Sequence, residues 1–235
     1  LITGAGSGIG AATARRLALR SPVVVADRNK PAVDKVASEI NAGGGTAVAV
    51  EVDVASAASV KSMMAELASK AGPIEGLFNN AGINIRNSID EITEADWDAV
   101  LDTHVKGTLL VSQAVLPQML ERKRGAVVNS ASDFSIIGMA GNAAYVAAKS
   151  AVYAMTKAMA VEFTASGVRV NAVGPGPIDT PLLRSGPAGE VASGQGREHQ
   201  AALRVGLFGE GGGEEALFAQ PLGGEGEAFE KGGEG

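Results

Sequence analysis

Short apolar runs alternate along this chain with stretches in which apolar residues recur every three or four positions. The run Val-Val-Val-Ala at 23–26 is typical of a strand that is buried on both faces. The recurrence of Ile9, Ala12 and Leu17 is instead the spacing of a helix with one apolar side. The pattern predicts strands at 1–2, 23–26, 46–52, 76–79, 126–129 and 168–173, and helices at 9–20, 31–42, 56–71, 93–124 and 142–165.

Three of these helices start at residues that can accept hydrogen bonds from free backbone N–H groups. Ser56 and Asn142 are of types that commonly act as N-caps. Thr93 with Asp96 resembles a capping box in which Asp takes the place of Glu. We therefore predict an N-cap at each of these three helix starts.

Strands that alternate with helices imply parallel pairing through right-handed crossovers. The expected fold class is α/β, a doubly wound, Rossmann-like parallel sheet in a single domain over 1–185 with no internal linker. A first strand of only two residues would be unusually short for the middle of such a sheet. We therefore expect the natural polypeptide to have further residues before Leu1.

Charge divides the 235 residues into two parts. The segment 1–185 carries 17 basic and 17 acidic side chains, whereas 186–235 carries 3 basic residues, 9 Glu and 15 of the 32 Gly, and so holds the whole net charge of −6. The acidic balance of the chain argues against a nucleic-acid binder, which would need a basic face to neutralise phosphates. No apolar run is long enough for a membrane span and no secretory signal opens the chain, so we expect a cytoplasmic protein.

Metal and thiol chemistry find little support in the composition. The chain has no Cys and two isolated His, which excludes disulfides, thiolate zinc sites and cysteine nucleophiles. We therefore expect no metal site.

A glycine-rich turn lies between the first strand and the first helix. It reads Thr3-Gly-Ala-Gly-Ser-Gly-Ile-Gly10, which permits a tight turn and the close approach of a pyrophosphate to a helix N-terminus. Asp27 ends the second strand, where its carboxylate can accept hydrogen bonds from ribose hydroxyls and would repel a 2′-phosphate. The glycine-rich turn and Asp27 together predict an NAD site, although the adjacent Arg28 is an argument for NADP.

Several further motifs stand at fixed places along the same pattern. Asn79-Asn-Ala-Gly82 follows the fourth strand, and Ser132 precedes Tyr145-x-x-x-Lys149 by 13 residues. Pro175-Gly176 follows the sixth strand. Together with the Thr-Gly-x-x-x-Gly-x-Gly spacing of the first turn, they resemble the short-chain dehydrogenase/reductase family over residues 1 to about 183.

The chemistry of the Ser, Tyr and Lys set suits proton transfer. Tyr145 and Lys149 share a helix face, so we expect the ammonium group to favour the phenolate and to lower the pKa of the phenol. Ser132 supplies an uncharged hydroxyl that can polarise a carbonyl oxygen. The resemblance implies that Tyr145 exchanges a proton with the substrate oxygen while hydride passes between substrate carbon and nicotinamide.

The resemblance also implies the cofactor contacts. These are Gly4, Ser7, Gly8, Ile9, Asp27, Arg28, Asp53, Val54, Asn80, Ala81, Gly82, Tyr145, Lys149, Pro175, Gly176, Ile178 and Thr180. Asp53 could instead be a solvated strand end. By the same resemblance the substrate pocket is lined by Asn84, Asp133, Phe134, Met139 and Leu182, without a cluster of Arg or Lys, which favours a secondary alcohol or ketone of modest polarity.

A second Tyr-x-x-x-Lys, Tyr153 and Lys157, follows on the same helix. The residue 13 positions before Tyr153 is Ala140, which has no hydroxyl. We therefore expect Tyr145 to be the catalytic tyrosine. The helix is apolar on more than one face, which favours a homo-oligomer, a tetramer or dimer.

One position departs from the family pattern. The family usually has an Asn that helps to hold a water molecule in a proton relay to the Lys, and His104 stands at that position. It is either a substitution whose imidazole makes equivalent contacts or a titrating member of the relay. We expect the first and count His104 among the catalytic positions.

Beyond residue 185 the family supplies a substrate lid and a last strand. Here 186–235 is an atypical region rich in Gly and Glu, and it contains no convincing strand. The expected function is hydride transfer between NAD(H) and a secondary alcohol or ketone. The alternatives are an NADP-preferring 3-oxoacyl-type ketoreductase and a non-catalytic cofactor-binding protein on the same fold.

Overall fold

The structure is a computed structural model that describes residues 1–184 and the backbone of two short strands further along. Six parallel strands form the body of one sheet: β1 (Ile2–Thr3), β2 (Val23–Asp27), β3 (Ala47–Glu51), β4 (Gly76–Asn79), β5 (Gly125–Ser130) and β6 (Val168–Gly174). Their order across the sheet is β3-β2-β1-β4-β5-β6. From β1 the strand order runs outward to β3 on one side and from β4 outward to β6 on the other. Ligands of doubly wound folds bind at this switch point between β1 and β4.

Helices cover both faces of this sheet. They are α1 (Gly8–Leu17), α2 (Lys30–Ala42), α3 (Ala57–Lys70), α4 (Glu94–Leu101), α5 (Gly107–Glu121), α6 (Ala143–Phe163) and the short α7 (Pro181–Arg184). Val23 and Val25 of β2 pack with α1 and α2, whereas Val24 and Ala26 pack with the cluster that contains α3, α5 and α6. Because alternate strand residues point to opposite faces, these contacts confirm the predicted doubly wound α/β fold.

The segment predicted as one helix from 93 to 124 is interrupted. A π-helical turn at Asp102–Lys106 separates α4 from α5, and His104 lies at its centre. Such wide turns occur mostly as single turns inside α-helices, frequently at functional sites. One added residue shifts the apolar positions of α5 relative to those of α4 but leaves the spacing within each helix intact. Hydrophobic spacing therefore could not reveal this turn.

The predicted caps are confirmed at two of three helix starts. The hydroxyl oxygens of Ser56 and Thr93 accept the N–H groups of Ser59 and Asp96. Asn142 precedes α6 without a side-chain cap, because its amide donates to the Ala140 carbonyl oxygen instead. That predicted cap was wrong.

Two short antiparallel strands extend the sheet beyond β6. They are β7 (Arg204–Gly206), which pairs with β6, and β8 (Ala216–Leu217), which pairs with β7. The sequence predicted no strand in this region. The rest of the expected lid and Gly/Glu-rich region, 186–235, lies outside the described residues.

None of the helices in the part of the chain that the structure describes has the length and hydropathy needed to cross a bilayer.

A buried series of hydrogen-bonded polar side chains connects β4, α5, β5 and α6. The Asn79 amide of β4 donates to Ser112 of α5 at 3.0 Å and to the Asn129 side-chain oxygen of β5 at 2.9 Å. The Asn129 amide donates to Thr156 of α6 at 2.9 Å, and Thr156 donates to the Val152 carbonyl oxygen. Since all four side chains are buried, each bond stands in for hydration lost on folding.

Thr156→Val tests this series. Valine keeps the shape of threonine but leaves the Asn129 amide short of an acceptor, so we expect a loss of about 1–3 kcal/mol in the free energy of unfolding, measured with urea. Thr164→Val is the matched control, because Thr164 makes the same kind of bond to a carbonyl four residues earlier and has no second partner described. Equal losses in the two variants would contradict the role of the Asn129 contact.

Candidate active site

The carboxyl ends of the strands open into one cleft with a volume of about 650 Å³. It brings together many of the residues that the sequence singled out: Ile9, Asn80, Gly82, His104, Ser132, Tyr145, Lys149, Pro175, Gly176, Ile178 and Thr180, with Asn84, Asp133, Phe134, Met139 and Leu182. The other predicted cofactor contacts lie outside this lining: Gly4, Ser7, Gly8, Asp27, Arg28, Asp53, Val54 and Ala81.

The glycine-rich turn forms a tight cradle at the start of α1. Gly4 and Gly8 have φ angles of +64° and +51°, which favour glycine. A Cβ atom at Gly10 would lie 2.3 Å from the Gly4 carbonyl oxygen. The Asn80 amide donates to the Thr3 carbonyl oxygen at 3.0 Å and so holds the turn from the side of β4. The free N–H groups at the start of α1 fit a pyrophosphate.

Asp27 faces this turn from the end of β2. One carboxylate oxygen accepts the Gly6 N–H at 3.1 Å, and the other accepts the Asn29 N–H at 3.0 Å. Asp27 is half-buried, whereas its neighbour Arg28 is exposed. A carboxylate fixed beside the phosphate cradle fits the hydroxyls of an adenosine ribose.

Asp53 and Val54 follow β3 outside the cleft. The Asp53 carboxylate accepts the Ala55 N–H at 3.0 Å, and its own N–H donates to Ser59 at 2.9 Å. Val54 is buried against Gly107, where a Cβ atom would lie 2.8 Å from Val54 Cγ2. The structure shows a local role for both residues, and their contact with adenine stays a prediction.

Ser132 stands at the turn between β5 and a short 3-10 helix at Asp133–Ser135. Its hydroxyl donates to Asp133 Oδ1 at 2.8 Å and accepts the Phe134 N–H at 3.2 Å. The Ser132 N–H donates to the Ser135 hydroxyl, which donates in turn to the Lys149 carbonyl oxygen. These bonds dock the turn onto the first part of α6 and place Ser132 beside Tyr145.

Tyr145 and Lys149 meet on α6 as the spacing predicted. The Lys149 Nζ lies 5.6 Å from the centre of the Tyr145 ring and donates to the Ser130 carbonyl oxygen at 2.6 Å. Lys149 is 4% exposed, so its ammonium group has lost nearly all contact with water. Burial lowers the pKa of Lys149 to about 7.

The expected lowering of the Tyr145 pKa was wrong in this structure. Burial raises the pKa of Tyr145 to about 12; a hydrogen bond with Ser132 opposes that rise, the charge of Asp133 adds to it, and the charge of Arg86 opposes it. Desolvation penalises the charged form of each group. It therefore acts on the phenol and the amine together and favours their neutral forms, a result that helix spacing alone could not reveal.

His104 occupies the buried wall behind Tyr145. Its ring makes an edge contact with the Tyr145 ring at 5.4 Å between centres. Its Nε2 lies 2.7 Å from the Ile83 carbonyl oxygen and 3.1 Å from the Ile83 backbone nitrogen. Burial, with the nearby Lys149 charge, lowers the pKa of His104 to about 3. A Cβ atom at Gly82 would lie 2.3 Å from His104 Cε1, so glycine there leaves room for the ring. The contacts favour a neutral, fixed imidazole over a titrating one.

Some lining residues were missed by the sequence reasoning. They are Arg86, Ser130, Ala131, Pro177, Asp179 and Leu183. Arg86 affects the site most directly, because its positive charge acts to lower the pKa of Tyr145. The sequence analysis predicted a pocket without an Arg or Lys cluster. The position of Arg86, six residues after Asn80 in the loop that follows β4, was the available signal.

The second Tyr-x-x-x-Lys pair lies outside the cleft lining. The Lys157 Nζ lies 5.2 Å from the centre of the Tyr153 ring, so the pair makes a cation–π contact of its own. In the described part of the chain, no three His, Asp or Glu side chains are grouped so that they could hold a metal ion.

Known proteins are similar to this chain in both sequence and fold. A family model described as short chain dehydrogenase matches residues 1–190. The chain is 41% identical over 188 residues to meso-2,3-butanediol dehydrogenase of Serratia marcescens, a match that covers 80% of this chain and 74% of the relative. It is 39% identical over 178 residues to 3-oxoacyl-(acyl-carrier-protein) reductase of Staphylococcus aureus, over 75% of this chain and 72% of the relative.

A solved structure gives the same picture. Gluconate 5-dehydrogenase from Burkholderia cenocepacia J2315, in complex with NADP and tartrate, superposes with a TM-score of 0.75 at 34% sequence identity. The superposition covers 78% of this chain and 72% of that chain.

Lys149→Met tests the burial of the amine. Because the folded-state pKa of about 7 lies below the ordinary 10.5, the unfolded chain binds more protons between these pH values, and the stability of the natural protein rises as pH increases through that range. Methionine does not titrate. We therefore expect the free energy of unfolding of the variant, minus that of the natural protein, to be larger at pH 7 than at pH 9.5 by roughly 2–3 kcal/mol, so that the variant is relatively more stable at pH 7.

Urea unfolding at the two pH values measures this difference. Lys70→Met removes one positive charge from the surface, where Lys70 is 55% exposed, and serves as the control for net charge. A difference between Lys149→Met and the natural protein that does not change with pH would contradict a desolvated amine.

Proposed function

The chain belongs to the short-chain dehydrogenase/reductase family of oxidoreductases, and from that premise we propose that it interconverts a secondary alcohol and the matching ketone with NAD(H) as its preferred cofactor. The observation that carries the proposal is the meeting of Ser132, Tyr145 and Lys149 in one cleft. The cofactor cradle at the start of α1 opens onto the same edge of the sheet.

The proposed holding of the cofactor follows from the groups described above. The N–H groups at the start of α1 bind the pyrophosphate, and the Asp27 carboxylate accepts hydrogen bonds from the adenosine ribose. Lys149, Pro175 and Gly176 lie further along the cleft, where the nicotinamide ribose and amide would be held. When bound, the nicotinamide supplies or accepts the hydride at the reacting carbon.

The chain's own residues handle the substrate oxygen and its proton. Ser132 can turn its hydroxyl hydrogen from Asp133 towards the substrate oxygen and so polarise it. Tyr145 gives a proton to that oxygen in reduction and takes one in oxidation. Lys149 places a cation beside the phenol in the fraction of molecules that keep it protonated, which favours the phenolate. His104 holds the wall behind the ring as a neutral group.

NAD is proposed over NADP because of Asp27. A 2′-phosphate on the adenosine ribose would lie beside the fixed Asp27 carboxylate, and the two negative charges would repel each other. The second candidate is an NADP-preferring 3-oxoacyl-type ketoreductase. It is favoured by the exposed Arg28 next to Asp27 and by a structural relative that binds NADP.

A non-catalytic cofactor-binding protein explains the cleft less well. Binding alone does not require a hydroxyl, a phenol and a buried amine in one cleft, and burying the Lys149 amine is unfavourable unless the amine has a chemical use.

Residues 1–185 are proposed as one dinucleotide-binding and catalytic unit of a cytoplasmic homo-oligomer. The long helix α6 supports the oligomer, since Val161 on it is 86% exposed and would be covered by a second copy of the chain. A dimer or a tetramer would satisfy this contact.

Tyr145→Phe tests the proton-transfer role. The variant keeps the ring contacts with His104 and loses the hydroxyl, so we expect kcat for alcohol oxidation with NAD to fall by about 10²–10⁴-fold. Reduced nicotinamide is followed by its absorbance across a panel of secondary alcohols. Tyr153→Phe is the matched control on the same helix and should keep the activity of the natural protein. Activity that survives Tyr145→Phe would overturn the mechanism.

Asp27→Ala tests cofactor choice. Removing the carboxylate removes the repulsion of a 2′-phosphate, so we expect the ratio of kcat/KM for NAD to that for NADP to fall by at least about tenfold. Glu51→Ala is the control, because Glu51 pairs in register with Asp27 on β3 and is exposed. A natural protein that prefers NADP would favour the ketoreductase instead.

A further inference from the structure

The loop that follows β4 turns alternate side chains towards the core and towards the cleft. Ile83 and Ile85 pack against a buried apolar cluster that includes Val100 of α4. Asn84 and Arg86 line the cleft instead. This is the alternation of an extended segment, in which successive side chains point to opposite sides. It gives the cleft a polar lining along this loop.

Two contacts fix the position of the loop relative to Tyr145. The Ile83 backbone lies within hydrogen-bond distance of His104 Nε2, and the His104 ring makes an edge contact with the Tyr145 ring. Further along the loop, Asn87 forms a parallel bridge with the residue that precedes α6. Asn84 lies between these two contacts and is therefore held at a fixed place near the reacting group.

The side-chain oxygen of Asn84 lacks a hydrogen-bond donor. Oδ1 is buried, and no donor among the described residues reaches it. Buried polar atoms nearly always have a partner, because a buried oxygen without one destabilises the protein. Asn79 Oδ1 shares this property, but Asn79 lies outside the cleft lining. The Asn84 oxygen is in contrast placed where a molecule bound in the cleft can supply the missing hydrogen.

The chemistry of the missing donor follows from the groups around it. A side-chain carbonyl oxygen accepts hydrogen bonds and cannot donate them, so the bound molecule must donate. Ser132 and Tyr145 already serve the oxygen that reacts, so the donor is a second group on the substrate. Arg86 lies two residues after Asn84 on the same lining, and its positive charge would repel an ammonium group. An uncharged hydroxyl group is therefore favoured.

We propose that the substrate carries a second hydroxyl group close to the reacting carbinol and that Asn84 Oδ1 accepts a hydrogen bond from it, an inference that rests on the proposed function. The substrate class is a diol or polyol, with the matching hydroxyketone as the oxidised form. The second hydroxyl keeps its proton throughout the reaction. A site that bonds a substrate hydroxyl discriminates against the analogue without it, because the polar group of the site is then left unpaired.

Matched alcohols test this specificity in the natural protein. Isopropanol, propylene glycol and the ether of propylene glycol methylated on its primary oxygen share the same secondary carbinol. With the preferred nicotinamide cofactor, we expect kcat/KM for propylene glycol to exceed that for isopropanol by about 10–100-fold. The ether keeps the second oxygen but lacks its hydrogen, so its kcat/KM should fall to the level of isopropanol. The pair of sec-butanol and 1,3-butylene glycol repeats the comparison with the second hydroxyl one carbon further away.

Substitutions of Asn84 identify the residue responsible. Asn84→Leu removes the acceptor with little change in size, so we expect kcat/KM for the preferred diol to fall about 10–100-fold. Its kcat/KM for the matching simple alcohol and its KM for the cofactor should change little. Asn84→Asp keeps an acceptor oxygen and should keep the preference for the diol. Asn87→Leu is the matched control in the same loop, since Asn87 lies outside the cleft lining, and it should behave as the natural protein.

Each failure of the proposal has its own signature. A natural protein that uses neither diol better than its matching alcohol would overturn it, and so would a diol preference that survives Asn84→Leu. A rise in the KM for the cofactor in Asn84→Leu, with all alcohols affected equally, would assign the oxygen to the cofactor instead. If the natural protein shows no Tyr145-dependent oxidation of any alcohol and no reduction of any ketone, the proposed function itself fails, and that result does not involve Asn84.

Discussion

The Lys149 amino group lies beneath the cleft, where it donates to the Ser130 carbonyl oxygen at 2.6 Å. This single bond joins the first half of α6 to the end of β5, and it buries a group that would carry a full charge in water. Removing a charge from water is expensive unless partners replace the lost hydration. Burial disfavours the charged form and lowers the pKa of Lys149 to about 7. The amine therefore changes its protonation near neutral pH.

The rest of the site is arranged around this buried amine. Tyr145 lies one helical turn away with its hydroxyl at Ser132, and His104 closes the wall behind its ring. The polar series from Asn79 through Asn129 to Thr156 fixes α6 on the sheet two turns below Lys149. The positions of Lys149, Tyr145 and His104 are therefore set by backbone and core contacts, and the cleft remains open for cofactor and substrate.

Much of this arrangement could be predicted from the sequence. The alternation of buried runs and helical spacing predicted the six parallel strands. The glycine turn, Asp27 and the Tyr145–Lys149 spacing predicted a site at the carboxyl edge of the sheet, where the structure brings Ser132, Tyr145 and Lys149 into one cleft. These features are local, since each depends on residues close together in the chain. The π-helical turn at His104 and the inclusion of Arg86 depend on how distant segments pack, which spacing does not report. The direction of the Tyr145 pKa shift was missed for the same reason, because desolvation is a property of the folded interior.

The most direct test of this account is the protonation of Lys149 itself. Titration of its ¹³C-labelled ε-carbon by NMR in the natural protein, with Lys149→Arg to identify the signal, should give a midpoint near pH 7. A midpoint near 10.5, the ordinary value for lysine, would show that the amine keeps its hydration and would contradict the account of a desolvated proton-transfer site.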